Sequence, residues 1–155
     1  MVKKKPEIVV RRATLDDSGI LSQFNMSMAK ETEGRRLDQT TVHAGVKQLF
    51  LDSQQGFYLV AEISGSACGS LMITYEWSDW RNGLFWWIQS VYVEPAARRN
   101  GVFTALYQCV KQMAQDDASA CGLRLYMEQD NLPARAVYMA MGMETTPYQV
   151  FEDLF

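Results

Sequence analysis

Residues 57–63, 67–77 and 84–93 are three successive β-rich runs, and directly beyond Pro95 the apolar spacing changes to that of a helix. This order restricts the fold sharply. Only Ser64, Gly65 and Ser66 separate the first two runs, the composition of a tight hairpin turn, and a loop over 78–83 leads to the third. Strands joined by such short links pair antiparallel. After Pro95, Val102, Phe103, Leu106, Val110 and Met113 fit one helical face ending near Asp116, and residues 123–127 then read as a buried strand. A strand–helix–strand passage crosses over to a parallel neighbour. The sheet is therefore expected to be mixed.

The flanking segments extend this order. Residues 7–12 suit a first strand, and Thr14 with Asp16 and Asp17 supplies a capping oxygen and first-turn acids for a helix to about Lys30. Residues 31–37, with Gly34, break that pattern, and Asp38 opens a second helix with Val42, Val46, Leu49 and Phe50 on one stripe. Near the other end Asn131 can cap a short helix opening Leu132-Pro133, and Gly142 sits where a left-handed cap would close it. Residues 145–155 suit one more strand. The class is α+β, an α/β sandwich in the order β-α-α-β-β-β-α-β-α-β.

At 155 residues, 48% of them apolar, the chain has the size of one domain spanning 1–155 and can bury about 68 to 70% of its unfolded surface without metal or disulfides. Fifteen Lys and Arg against 18 Asp and Glu give a net charge of −3, the wrong sign for tracking phosphates, so no nucleic-acid partner is expected. The basic start is followed only by Ile8, Val9 and Val10, short of a secretory apolar region, and no stretch is apolar enough to span a membrane. A cytoplasmic protein is expected. Cys68, Cys109 and Cys121 form no CxxC pair and read as reduced core thiols; His43, the single histidine, has no second ligand at helical spacing, so no metal is expected. Met139, Met141 and Met143 read as flexible core filler.

Residues 88–106, IQSVYVEPAARRNGVFTAL, carry the chemistry. A strand, a basic glycine-containing turn and a helix follow one another, which is an anion-site layout: first-turn amides have no partner inside a helix, and its macrodipole puts about half a positive charge there. Arg98 and Arg99 add charge, and Gly101 lets backbone approach a diphosphate. The turn lacks both the GK[ST] of a P-loop and the spaced glycines of a dinucleotide fingerprint.

Arg98-x-x-Gly101 after Val91-Tyr92-Val93-x-Pro95 resembles the acetyl-coenzyme A signature of the GNAT superfamily of N-acetyltransferases. Asn131-x-x-Ala134-x-x-x-Tyr138-x-x-x-Gly142 resembles the family's second signature, and the element order agrees over the whole chain. The family pattern Q/R-x-x-G-x-G/A is broken at its last position, where Phe103 replaces a small residue. The resemblance implies a mostly antiparallel sheet of six or seven strands with helices on both faces. It also implies that amides around Arg99, Asn100, Gly101, Val102, Phe103 and Thr104 bind the coenzyme diphosphate, while Val91 and Val93 pair with its pantetheine arm like an added strand. Asn131 would contact that arm, Tyr138 would protonate the departing thiolate, and the Val91 N–H would serve the developing oxyanion.

An alkylammonium near pKa 10.4 must lose a proton before it can attack a thioester, and Glu76 is the candidate helper, acting through water. All four tryptophans, Trp77, Trp80, Trp86 and Trp87, fall within residues 77–87, and strand alternation puts Trp86 and Trp87 on opposite faces. Trp77, Trp80 and Tyr92, with Glu31 and Glu33 from the loop between the first helices, make a set suited to a cationic amine. The same acids balanced by Arg35 and Arg36 equally suit a solvated loop, and Phe57, Phe151 and Phe155 suit core packing or a homodimer contact. The functional expectation is acetyl transfer from acetyl-coenzyme A to a primary amine of a small cationic acceptor. The alternatives are a coenzyme-A-binding module with little turnover, an enzyme acting on a protein amino group, and an interaction protein that shares only the fold.

Overall fold

Five strands, β1 (Ile8–Arg12), β2 (Gly56–Ile63), β3 (Ser66–Ser78), β4 (Gly83–Val93) and β5 (Ala120–Arg124), lie side by side in chain order in the computed structural model, which describes residues 4–155. The first four pair antiparallel, and β5 joins β4 in parallel. The hairpin falls on Ser64 and Gly65. The mixed sheet thus follows from link length, since the two-residue turn permits only reversal and the helix after Pro95 carries the chain back across the sheet.

Helices α1 (Ser18–Glu33) and α2 (Gln39–Leu51) cover one face, where Leu21, Val46 and Leu49 pack with Tyr58 and Val60 of β2. Asp38 caps α2, its carboxylate accepting from the Thr41 amide at 2.8 Å. Helix α3 (Val102–Asp116) lies against the strands and buries Val102, Leu106 and Val110, while the alternate β2 residues Leu59 and Ala61 are fully buried. Trp86 is buried and Trp87 half-buried, as expected of opposite faces. At the entry to α1, Asp17 accepts from Arg11 at 2.8 and 2.9 Å and from the Thr14 amide at 2.7 Å.

Three boundaries differ from expectation. Strand β5 starts at Ala120 and ends at Arg124, not over 123–127, and is half-buried. Pairing fixes this: Leu84 donates to Ser119 at 2.8 Å, and Gly122 lies so close to the Phe85 ring that a Cβ there would sit 2.9 Å from it. Helix α1 continues to Glu33, so Glu31 stands on its last turn rather than in a loop. Among the described residues the sheet has five strands where six or seven are expected.

The chain divides into two compact units, Met1–Leu125, which holds the sheet, and Tyr126–Phe155. The second contains α4 (Leu132–Ala140), capped by Asn131 Oδ1, which accepts from Ala134 N at 3.2 Å. Gly142, at φ 90°, ends it, and Met143 N donates to Tyr138 O at 3.1 Å. Met139 is exposed and does not fill a core, because its position on α4 faces solvent.

Candidate active site

Strands β4 and β5 pair only from Leu84↔Ala120 to Trp87↔Arg124, whereas β3 stays paired with β4 as far as Gly69↔Val93. Beyond Trp87, β4 therefore has one edge without a ladder partner among the described residues. A bulge marks this stretch. Between Gln89 and Tyr92, β4 has Ser90 and Val91, whereas β3 has only Leu71 between the partners Met72 and Ser70. Ser90 takes a left-handed φ of 51° to allow it.

Backbone alternation tells which groups reach that edge. Glu94 N donates to Cys68 O on β3 at 2.8 Å, so the neighbouring Val93 N–H and C=O point away from β3. Val93 O is met on that side by Arg98 Nε at 2.9 Å.

The turn after β4 carries the next feature. A short 3-10 helix, Pro95–Ala97, leads into Arg99 at φ 64° and Gly101 at φ 87°. Turns of this kind gather backbone N–H groups on a concave side. Asn100 braces it, donating through Nδ2 to Ala97 O at 3.2 Å and to Arg98 O at 3.3 Å. The first internal bond of α3 runs from Ala105 N to Gly101 O at 3.0 Å, so the amides of Val102, Phe103 and Thr104 precede any intrahelical acceptor, and no side chain caps the helix. A Cβ on Gly101 would meet nothing within 4 Å, so the glycine is needed for its φ and its surroundings are open. Phe103 lies along α3, its ring centroid 6.2 Å from that of Tyr107.

Arg98 also reaches Glu31 at 2.6 Å and lies 5.8 Å over the Tyr92 ring, and the Tyr92 hydroxyl donates to Glu31 at 3.4 Å. Glu33 is exposed, with Arg35 3.7 Å away. At the other end of β4, Trp77 and Trp80 are 58% and 85% exposed. Trp77 pairs with Leu84, about 26 Å along the strand from Tyr92 at roughly 3.3 Å per residue. The expected acceptor residues thus fall into two groups, Glu31 with Tyr92 and Trp77 with Trp80.

Glu76 stands where β4 and β5 part. It accepts from Trp87 Nε1 at 2.8 Å and pairs with Arg124 at 3.0 Å. Trp87 precedes Val91 by four residues, about 13 Å along the strand. Sequence reasoning missed Arg124 and Ser90. A charged residue inside an otherwise apolar strand was the signal for Arg124, whereas a bulge at serine leaves no local signal. In the second unit, burial holds the half-buried Tyr138 phenol above its ordinary range. Burial likewise pushes the Cys68 and Cys109 thiols up, which disfavours nucleophilic use. His43 bonds Ser22 Oγ at 3.1 Å. Among the described residues no group of three or more His, Cys, Asp or Glu is placed to hold a metal ion, and no helix is long and apolar enough to cross a membrane.

The model of the acetyltransferase (GNAT) family matches residues 23–143. A search of curated protein sequences gives no match. Among solved structures, a possible acetyltransferase from Clostridium difficile 630 superposes with a TM-score of 0.89 at 42% identity, over 96% of this chain and 97% of that one. A predicted acetyltransferase with acetyl-CoA from Clostridium acetobutylicum gives a TM-score of 0.77 at 17% identity, over 95% and 96%. A ribosomal-protein-alanine N-acetyltransferase from Brucella melitensis biovar Abortus 2308 gives 0.77 at 15%, over 96% and 99%. The last two share the fold.

Proposed function

The chain belongs to the acetyltransferase (GNAT) family, and on that premise we propose that it transfers acetyl from acetyl-coenzyme A to a primary amine of a small, cationic acceptor, working as one catalytic domain over 1–155 in the cytoplasm. One observation carries this reading: the open edge of β4 leads, through the turn from Pro95 to Gly101, to a helix N-terminus that no side chain caps. Edge and turn suit an elongated ligand with an amide-bearing arm and a diphosphate.

Acetyl-coenzyme A supplies an acyl group on a thioester, whose thiol leaves readily at a pKa near 8.5. The amides of Arg99 to Thr104 bind the diphosphate, helped by Arg98 and by the partial positive charge of α3. Val91 and Val93 hold the arm as an added strand, and Arg98 then gives up the Val93 carbonyl that it covers. The Val91 N–H donates to the oxygen that gains charge as the amine attacks; donors of this kind are worth about 2.7 to 4 kcal/mol. Tyr138 protonates the thiolate, and its raised pKa keeps that proton available at neutral pH. Asn131, whose Oδ1 caps α4, has its amide nitrogen to offer the arm. Glu76 draws the ammonium proton off through water while Arg124 and Trp87 hold it.

Glu31 and the face of Tyr92 favour a cationic acceptor. The bulk of Phe103 supports one competing reading, a coenzyme-binding protein with little turnover. Titrating released thiol with acetyl-coenzyme A and a panel of diamines, neutral amines and peptides separates these. Turnover of diamines supports the proposal, turnover of peptides alone replaces the acceptor, and coenzyme binding without turnover supports the competitor.

A further inference from the structure

At the C-terminal end of α3, between helix and sheet, lies a cleft of about 530 Å³ lined by Arg12, Trp86, Met113, Asp116, Asp117 and Ala118. All six residues belong to the first unit. The cleft is remote from the candidate coenzyme turn, since Trp86 precedes Val93 by seven residues, about 23 Å along β4 at roughly 3.3 Å per residue. Its volume falls within the range of about 300 to 1,000 Å³ in which small molecules are held.

Trp86 is 3% exposed, and its Nε1–H has no hydrogen-bond partner among the described residues, which costs stability unless an acceptor arrives. Phe57 sets a cation beside that indole: the Arg12 guanidinium lies 4.0 Å from its ring centroid, and Trp86 meets it edge-on at 5.5 Å. Arg12 has no carboxylate within ion-pair distance among the described residues. On the helix side, Asp116 and Asp117 stand at the end of α3, where the dipole already puts about half a negative charge and no basic residue lies in the last turn. Asp116 accepts from Gln112 at 3.0 Å and Asp117 from Ser119 at 2.7 and 2.8 Å, each through Oδ1, which leaves both Oδ2 atoms to accept from elsewhere. Burial pushes the phenol of Tyr75 up, Arg12 opposes this and Asp117 adds to it, so both charges act on one side chain, whose ring lies 5.8 Å from that of Trp86.

We propose that this cleft binds a small amino acid as its zwitterion, the carboxylate on Arg12 and Trp86 Nε1 and the ammonium on the Oδ2 atoms of Asp116 and Asp117. A planar carboxylate suits a guanidinium, and the indole N–H gains the acceptor it lacks. A simple anion would meet two carboxylates, and a simple cation would leave Arg12 and the indole unanswered. Only a molecule that carries both charges satisfies every side of the cleft. The long, flexible side chains of Arg12 and Met113 shift to let a carboxylate oxygen reach the buried nitrogen. The proposal does not depend on the acetyltransfer reading.

The test titrates the full chain, labelled with nitrogen-15, with glycine, 4-aminobutyrate, ethylamine, acetate and inorganic phosphate. The indole N–H signals are followed by NMR, that of Trp86 being identified by its proximity to the rings of Phe57 and Tyr75. One or both amino acids are expected to move the Trp86 signal saturably, the tighter of the two reporting how far apart the charged groups sit, while ethylamine, acetate and phosphate leave it in place. Arg12→Gln, at an exposed position and checked for folding by circular dichroism, is expected to weaken the amino acid about tenfold or more. A Trp86 signal that neither amino acid moves, an equal response to ethylamine, acetate or phosphate, or an affinity indifferent to Arg12→Gln overturns the proposal.

Discussion

Arg98 joins Glu31 at 2.6 Å while its Nε covers the outward carbonyl of Val93, so one guanidinium links the end of α1 to the edge and turn proposed for the coenzyme. Both groups of this pair are substantially exposed, and exposed ion pairs contribute about 0.2 to 1 kcal/mol. A diphosphate is therefore able to compete for Arg98. Arg98→Ala is expected to weaken coenzyme A binding about tenfold or more, since bonds to charged groups are worth about 1.5 to 3 kcal/mol. Glu31→Gln is expected to leave that affinity unchanged or tighten it by up to about fivefold. Calorimetric titration with coenzyme A checks both, and a Glu31→Gln loss as large as that of Arg98→Ala would remove Arg98 from the diphosphate site.

Tyr138→Phe is expected to lower kcat by about 10² or more with little change in the affinity for coenzyme A, because general acids supply about 10² to 10⁴. Burial raises the phenol above 10, so its proton stays on throughout the neutral and mildly alkaline range. The wild-type rate should accordingly show no alkaline fall below about pH 10 that Tyr138→Phe abolishes. A pH–rate profile of both proteins decides it.

What was legible in the sequence was what depends on near neighbours. Asp38, Asn131 and Gly142 announce helix ends because caps bond within three or four residues, and Ser64-Gly65 announces the hairpin for the same reason. The strand-turn-helix at Val93 to Val102 reads equally well. The start of β5 did not, because pairing with Leu84 to Trp87 across the sheet decides it. Nor did the gap between Trp80 and Glu31: the aromatic cluster looked like one wall, yet β4 carries its two ends far apart.

Gly101→Ala tests the turn itself. At φ 87° an alanine is strained by about 1 to 2 kcal/mol, although its Cβ meets nothing within the protein. At about 2 to 4 °C per kcal/mol, Tm should fall by roughly 2 to 8 °C. If the open space beside Gly101 belongs to the diphosphate, affinity for coenzyme A should fall as well, measured well below Tm. Lost stability with unchanged affinity would move the diphosphate off this turn.

Asp17 gives the fold a defined response to acid. Its carboxylate accepts two bonds from Arg11 and one from the Thr14 amide, and these, led by Arg11, hold its pKa below the ordinary value of 3.8. The unfolded chain therefore binds this proton more readily than the folded one. The resulting stability is fully present above about pH 4, the unfolded pKa, and is lost as pH falls through the lower folded pKa. Asp17→Asn is expected to cost about 1.5 to 3 kcal/mol at pH 7, as for other hydrogen bonds to charged groups, and to narrow its deficit as the wild type itself becomes protonated. Urea unfolding at pH 7, 4 and 2.5 measures that gap. A deficit of equal size at all three values would mean that the side chain acts by shape alone, with its charge contributing nothing to the join between β1 and α1.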